Sequence, residues 1–308
     1  MIFHQRKILI ERSIKKSFWG FLILFLFTAS SPNLYGQEGW MLSTSIQYSG
    51  GNYLYNNSNR IFYIYGGAGY QAKDWSISIS VPVVSQSSGG VGQVGGMMLP
   101  NGISDDPNNM MGSNSGTNSG GMMGNNGGMM GNGTYNSTQS GSMSSSNHFG
   151  LGDIYLYGSY NLLDEFTSSF DLNLNPFVKI PTANETKGLG TGEFDYGISA
   201  TAKKTFDTFV TFADLGYIII GKPESINYKN PLSYGLGFGK FFNDGNYSLL
   251  LYYQAYTTIL EGYDSPELLS LGFNYKLNPV LTLSFIGSAG LSKVTSDYSF
   301  SSGLKWNL

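Results

Sequence analysis

Residues 298–308 read Tyr-Ser-Phe-Ser-Ser-Gly-Leu-Lys-Trp-Asn-Leu, and this stretch decides the fold class. Its apolar and polar side chains alternate with the period of two that is typical of a β-strand. A soluble sheet rarely ends on an uncovered strand whose Trp and Leu side chains point outward. In a closed transmembrane barrel, lipid solvates that face, aromatic residues lie at the interfaces, and the last strand pairs with the first. The stretch therefore predicts a transmembrane β-barrel, with an apolar face made of Tyr298, Phe300, Leu304, Trp306 and Leu308.

The first 36 residues have the composition of an export signal. Five basic residues precede or flank the start of the apolar run 18–27, and small and polar residues follow it. A run of about 10 apolar residues fits the core of a signal peptide and is too short for the ~20 residues of a membrane-spanning helix. We predict a signal peptide at 1–36, cleaved after Gly36, with the barrel formed by residues 37–308. An uncleaved signal anchor is the alternative.

The composition excludes several classes of function. Without residues 1–36 the chain keeps 12 basic and 19 acidic residues, and a net charge of −7 argues against nucleic acid as a partner. There is no cysteine, which excludes disulfides and thiolate metal sites. Only 12% of the residues are charged and 15% are aromatic, as expected of a chain with one face in lipid. No stretch after residue 36 is apolar enough to span as a helix, so crossing a membrane requires strands.

Twelve strand-like segments follow one another along the chain. Short links follow the even-numbered segments, and mostly longer, polar links follow the odd-numbered ones. Short periplasmic turns that alternate with longer extracellular loops are the pattern of an outer-membrane barrel. We predict an all-β, antiparallel barrel of about 12 strands with both ends on the periplasmic side. A soluble β-sandwich explains the alternation of side chains but not the alternation of link lengths. The predicted segments are 39–50, 60–72, 75–85, 152–163, 167–181, 193–205, 208–221, 232–242, 247–260, 268–277, 280–294 and 298–308.

One link, residues 86–147, is a low-complexity segment rich in Gly, Ser, Asn and Met. It holds nine of the eleven methionines. Such a segment cannot bury enough apolar surface to offset its ordering entropy, so we predict a disordered extracellular loop. Thioethers are soft ligands that suit Cu(I) and Ag(I), which makes this loop a candidate metal-binding segment. Repeat expansion under little constraint is the alternative that we favour. The candidate ligands are Met97, Met98, Met110, Met111, Met122, Met123, Met129, Met130 and His148.

Three short motifs carry a family resemblance: Gly150-Leu-Gly-Asp153, Lys179-Ile-Pro-Thr182 and Gly190-Thr-Gly-Glu-Phe-Asp195. With the strand pattern, they resemble the outer-membrane barrel family labelled as the MetA pathway of phenol degradation. The match is best over residues 150–245. It departs from the family at Ala183, where a glycine is usual, and in the Met-rich segment. The resemblance implies a channel for small, often aromatic, molecules.

Charged residues lie within or beside these motifs and, by alternation, face the lumen. Asp153, Lys179, Glu193 and Asp195 should lie on three neighbouring strands at similar height. Opposite charges on adjacent strands can pair and so lower the cost of placing them inside. We favour a structural ion-pair network over direct contact with a permeating solute, and Asp171 and Asp214 carry the same ambiguity. The tyrosines predicted to face the lumen are Tyr155, Tyr157, Tyr252 and Tyr256.

These observations predict an outer-membrane channel that takes up small hydrophobic or aromatic molecules. The expected partners are then membrane lipid and a small solute. No cofactor is expected, and the sequence does not define the number of subunits. Catalysis is not expected, because His148 is the one histidine after residue 36 and lies beside low-complexity sequence. The alternative is a surface-displayed binding protein whose Met-rich loop holds Cu(I), Ag(I) or a partner. Inward-facing Gly and Ser on the eighth and twelfth segments favour the channel.

Overall fold

The structure, a computed structural model, describes residues 38–55, 58–101, 148–165, 167–224 and 226–308. The predicted signal peptide and residues 102–147 of the Met-rich segment lie outside the described residues. Within the described part, no helix is long and apolar enough to cross a membrane. The strands are β1 (Gly39–Gly51), β2 (Asn59–Gln71), β3 (Trp75–Gln86), β4 (Val91–Val94), β5 (Met97–Pro100), β6 (His148–Leu151), β7 (Ile154–Leu163), β8 (Asp171–Ile180), β9 (Asp195–Phe206), β10 (Phe209–Ile219), β11 (Leu232–Phe242), β12 (Tyr247–Tyr256), β13 (Glu267–Asn278), β14 (Leu281–Gly290) and β15 (Tyr298–Asn307).

Thirteen of these strands close into an antiparallel barrel. The last strand, β15, pairs with β1 from Met41–Asn307 to Gly50–Tyr298, as the sequence predicts. Strands β6 and β7 both pair with β3 and share one position in the wall, interrupted at Gly152 and Asp153. The wall therefore has twelve positions, which confirms the predicted fold. Closure pairs the backbone groups of every wall strand, as a spanning sheet requires in lipid.

The outer face of the wall is apolar. Leu236 and Phe300, both outward-facing, are 67% and 62% exposed, which would be costly in water and is favourable in hydrocarbon. Aromatic residues mark both ends of this face. Tyr70 contacts two tryptophans at the end with the short turns, and Tyr48 contacts Tyr298 at the opposite end. Two aromatic belts around an apolar band are the outer surface of a transmembrane barrel.

Tight turns connect the strands at the predicted periplasmic end. The β9–β10 turn has Asp207 at φ 54°, and the β11–β12 turn has Asn243 and Asp244 at φ 50° and 53°. Asp and Asn tolerate the left-handed region better than other residues with a side chain, which explains their use in these turns. The predicted short links are confirmed after β2, β9, β11 and β13, whereas β8 begins at Asp171 and not at the predicted residue 167. These turns place the extracellular loops at the other end of the wall.

Residues 91–100 differ from the predicted disordered loop. Strands β4 and β5 pair as a two-stranded hairpin that is separate from the wall. Gly95 and Gly96 form its turn, both with positive φ. Two glycines between short apolar strands are a strong hairpin signal, because a tight turn needs positive φ at both central residues. The prediction that all of 86–147 lacks secondary structure is wrong here, since this part of the segment buries apolar side chains.

Candidate functional site

The β4–β5 hairpin lies inside the barrel and spans the lumen. One group of its side chains packs against inward-facing and loop residues of the β10–β12 side, and another packs against the β2–β3 side. On the first side, Val94, Met97 and Leu99 are buried with Ile218, Ile220, Tyr228, Tyr256, Ile259 and Leu260. On the second side, Val91 is buried with Tyr53, Ile61, Tyr63, Val84, Ala183 and Leu189. The hairpin thus closes much of the extracellular half of the lumen.

A buried cluster of polar side chains holds the middle of the hairpin. Lys179 Nζ lies 2.9 Å from Asp195 Oδ2 and 3.6 Å from Asp153 Oδ2. The same ammonium donates to Thr191 Oγ1 at 3.0 Å and to the hairpin carbonyl of Gln93 at 3.1 Å. We call Lys179, Asp153, Asp195 and Thr191 the Lys179 cluster. Because an unpaired charge inside protein is very costly, each of these contacts offsets the desolvation of the lysine.

The two carboxylates of the cluster also accept backbone hydrogen bonds. Asp195 accepts one from the hairpin turn, Gly95 N, at 2.7 Å and one from Gly221 N at 2.9 Å. Asp153 accepts one from Ala183 N at 3.0 Å. Glu193 is only partly buried, and the ion pairs of Lys179 among the described residues are with the two aspartates. The structure therefore brings three of the four predicted charges together, with contacts to the hairpin.

Further hydrogen bonds fix the edges of the hairpin. Gln93 Nε2 donates to Tyr65 OH at 2.8 Å, and Asn101 Nδ2 donates to the carbonyl of Gly188 at 2.8 Å. The Tyr228 hydroxyl donates to the carbonyl of Pro100. Burial raises the pKa of Tyr228 well above its ordinary value, so the hydroxyl keeps its proton and remains a donor. The hairpin is held at its turn, its middle and its base.

A cavity of about 230 Å³ lies at the tip of the hairpin. The turn glycines line it on one side, and residues of β7 to β12 line it on the others. Tyr155, Tyr157 and Tyr256 face it as predicted, and Tyr252 stacks on Phe212 with 5.3 Å between ring centroids. The residues that line the cavity carry no charge. They are Gly95, Gly96, Tyr155, Tyr157, Phe177, Ile198, Ser199, Ile218, Ser233, Gln254 and Tyr256.

The periplasmic half of the lumen is polar. Ser159 donates to Asn175, and Asn175 donates to Thr201, at 2.9 and 3.0 Å. Asp214 accepts a hydrogen bond from the same threonine. Asp171 pairs with the half-exposed Lys203 at 2.7 Å. Asp171 and Asp214, the other two charged residues predicted to face the lumen, therefore lie in this polar half. The cavity separates them from the Lys179 cluster.

The candidate metal ligands that the structure describes do not form one group. Met97 is 6% exposed within the apolar cluster on the β10–β12 side, whereas Met98 packs against the cluster on the β2–β3 side. His148 begins β6 and pairs with Gln86 of the wall. The other six candidate methionines lie outside the described residues. Within the described ranges, no three His, Cys, Asp or Glu side chains are grouped so that they could hold a metal ion.

The sequence reasoning missed the hairpin and its cavity. Its signal was present as Val91-Gly-Gln-Val94 and Met97-Met-Leu-Pro100 around a Gly-Gly pair. These ten residues were assigned to the low-complexity loop because the sequence that follows them is rich in Gly, Ser, Asn and Met. The cavity could not be found by composition, because its lining comes from six wall strands and the hairpin turn together.

A solved outer membrane channel has a similar architecture. The COG4313 outer membrane channel from Pseudomonas putida F1 superposes with a TM-score of 0.58 at 10% identity, over 90% of this chain and 99% of the channel. The KdgM porin gives a TM-score of 0.44 at 7% identity, over 86% and 99% of the two chains. The Pseudomonas putida toluene transporter TodX gives 0.39 at 12% identity, over 90% of each chain. No curated protein sequence matches this chain.

The family comparison covers most of the barrel. The sequence profile described as "Putative MetA-pathway of phenol degradation" matches residues 99–308, more than two-thirds of the chain. This range begins inside β5 and contains the three motifs that carried the resemblance. With the closed twelve-position wall, its apolar outer band and its aromatic belts, the match leads to one conclusion. The chain belongs to this family and is an outer-membrane β-barrel.

Proposed function

We propose that the protein is a gated channel for small, uncharged molecules of low polarity, and that the β4–β5 hairpin is its gate. The observation that carries this proposal is the position of the hairpin across the lumen, with an uncharged, ring-lined cavity at its tip. The family description, which concerns the degradation of phenol, is consistent with a solute of this class.

The lining of the path supports the class of solute. A charged solute would have to shed water at a level where the cavity lining offers no opposite charge, and this step is expensive. A small solute of low polarity loses little hydration there and gains contact with aromatic rings. The cavity therefore favours uncharged molecules of low polarity over ions and sugars.

The hairpin has to move for a solute to pass. Its two apolar clusters join it to opposite sides of the wall, and its turn and middle are hydrogen-bonded to Asp195 and Lys179. We interpret the Lys179 cluster as the holder of the closed gate rather than as a contact site for the solute. Residues 87–90 join the hairpin to the extracellular end of β3, so outward movement of the hairpin keeps the wall intact.

Crosslinking the hairpin to the wall tests the gate. The native chain has no cysteine, and the side chains of Gln93 and Tyr65 meet at 2.8 Å. In the double variant Gln93→Cys and Tyr65→Cys, a short bis-methanethiosulfonate reagent joins hairpin and wall through two disulfides, and a sulfinate leaves at each cysteine. We expect crosslinking to reduce uptake of labelled toluene by intact cells to the level of cells without the protein. Reduction of the crosslink should restore it.

Two controls make the result specific. Each single-cysteine variant, treated with the same reagent, should retain uptake, which excludes an effect of the label alone. Arabinose, a polar solute, should enter at the same rate with and without the protein. Uptake of toluene that is equal in crosslinked cells, reduced cells and cells without the protein would show that the chain is not a channel for this class of solute.

A further inference from the structure

We propose that the cavity at the hairpin tip is a binding site for one uncharged aromatic ring that carries a hydrogen-bond acceptor. The inference rests on the proposed channel function and names the class of solute that the channel recognises. It is carried by the volume of the cavity, the arrangement of its rings, an unpartnered hydroxyl group and the charges that lie above it.

The volume fits one ring and a small substituent. A dry cavity of about 150 Å³ lined by apolar side chains can hold benzene. The cavity at the hairpin tip has a volume of about 230 Å³, which leaves space for a hydroxymethyl or aldehyde group. A sugar with its hydration shell is a poor fit. The cavity has room for one substituted ring.

The rings of the lining are placed to receive another ring. Tyr155 and Tyr157 stack with centroids 5.6 Å apart and planes 10° from parallel. Phe177 lies 6.1 Å from the first ring and 6.4 Å from the second, tilted against both. Offset-stacked and tilted contacts at these distances are the favourable arrangements for aromatic pairs. Tyr157 remains 43% exposed although it faces inward, so part of its surface is free to contact a solute.

The hydroxyl group of Tyr155 lacks a partner. It is buried with no hydrogen-bond acceptor or donor among the described residues, in a side chain that is 2% exposed. Leaving a buried polar group unsatisfied is costly, and few such groups occur in folded proteins. A bound oxygen acceptor would satisfy this hydroxyl. Gln254, Ser199 and Ser233 add uncharged hydrogen-bonding groups to the same lining.

The charges nearest the cavity disfavour an anion. The Lys179 cluster contains one ammonium and two carboxylates, and its lysine is occupied by four contacts. A carboxylate on the ring would be buried without a free cation and close to excess negative charge. Neutral and anionic compounds with the same ring should therefore differ strongly in affinity.

The hairpin supplies one side of the site. An added Cβ at Gly96 would have nothing within 4 Å, which shows open space beside the turn. A bound ring would contact both the wall and this turn. Occupancy of the cavity and position of the hairpin are therefore coupled, since outward movement of the hairpin removes part of the site.

Equilibrium dialysis of the full chain in lipid nanodiscs tests the site, with empty nanodiscs as the blank. Labelled benzyl alcohol is the probe, and benzoate is the anionic comparison. We expect benzyl alcohol to bind with one site per chain and benzoate to bind at least about tenfold more weakly. Equal binding of the two compounds would overturn the proposal.

Variants locate the site. Ser233→Leu fills the cavity and should weaken binding of benzyl alcohol at least about tenfold. Ser302→Leu is the matched control, because it adds the same side chain to the lipid-facing surface opposite Ile46. It should leave binding unchanged. Equal binding by the Ser233 variant and the native chain would place the probe elsewhere and overturn the site.

Tyr155→Phe separates recognition from structure. It should weaken binding of benzyl alcohol about three- to tenfold, the usual effect of one neutral hydrogen bond, without lowering the midpoint of unfolding in urea. Unchanged affinity would show that the Tyr155 hydroxyl does not bind the ligand. Normal toluene uptake with no specific binding of benzyl alcohol would reject the site but not the channel. Absence of protein-dependent uptake would reject the channel itself.

Discussion

Lys179 Nζ and Asp195 Oδ2 lie 2.9 Å apart, and both side chains are completely shielded from solvent. The pair joins neighbouring strands, since Lys179 and Asp195 are direct partners in the β8–β9 register. Each residue also binds the backbone of the hairpin, the lysine at Gln93 and the aspartate at Gly95. One ion pair therefore fixes both the wall and the inserted hairpin.

Replacing Lys179 with methionine should strongly destabilise the protein. The change leaves Asp153 and Asp195 buried together without a cation, and the loss of one partner from a buried pair costs about 3–5 kcal/mol. Urea unfolding measured by tryptophan fluorescence in lipid gives the free energy. Lys203→Met is the matched control, because its pair with Asp171 is half-exposed and should contribute at most about 1 kcal/mol. Equal losses in the two variants would show that burial of the cluster is unimportant.

Deletion of residues 91–100 should open the lumen while preserving the wall. The wall pairs all its strands without the hairpin, so heat-modifiable migration on a denaturing gel should persist. Single-channel conductance in a planar bilayer should rise, because the deletion removes the segment that spans the lumen. Deletion of 104–145 instead should leave conductance at the native value. An equal rise after both deletions would place the obstruction outside the hairpin.

Alanine substitutions at the turn should differ in cost. Both Gly95 and Gly96 have positive φ, at 57° and 85°, so each substitution costs about 1–2 kcal/mol of backbone strain. An added Cβ at Gly95 would also lie 3.1 Å from Ile218 Cγ2, whereas at Gly96 it meets open space. Hydrogen exchange of the hairpin amides should therefore accelerate more for Gly95→Ala than for Gly96→Ala. The reverse order would contradict the packing at the tip.

The soft-metal hypothesis predicts that only some methionines of the segment contribute to Ag(I) binding. Met97→Leu and Met98→Leu together should leave Ag(I) binding unchanged, because these side chains pack in separate apolar clusters. If the segment binds soft cations, leucine at positions 110, 111, 122, 123, 129, 130 and 143 should abolish Ag(I) binding measured by calorimetry. Unchanged binding in this second variant would exclude the segment as the ligand.

Local patterning was sufficient to predict the wall. Alternation along β13 and β15 sets which side chains face lipid, and the Asp, Asn and Gly residues of the turns set where strands end. The same alternation predicted that Asp153, Lys179 and Asp195 face the lumen at similar height. In the structure Lys179 forms ion pairs with both aspartates. Period-two patterning is reliable here because each wall strand has lipid on one side and the lumen on the other.

The contents of the lumen could not be predicted in this way. Gln93 is 86 positions from Lys179, and Gly95 is 100 positions from Asp195. Parity gives the direction of a side chain but not the identity of its distant partner. For this reason the charges were interpreted as a network within the wall, and their contacts with the hairpin required the three-dimensional structure.

The hairpin also constrains the order in which the chain can assemble. Its residues precede β6 to β15, yet Tyr228, which binds Pro100, lies 128 positions further along the chain. Contacts across such separations form slowly, because the chain loses the entropy of closing a long loop before the contact contributes any stabilisation. The packing surface for Val94, Met97 and Leu99 is incomplete until β12 and the loop that follows it are in place. We therefore expect the hairpin to reach its final position inside the lumen only after most of the wall has formed.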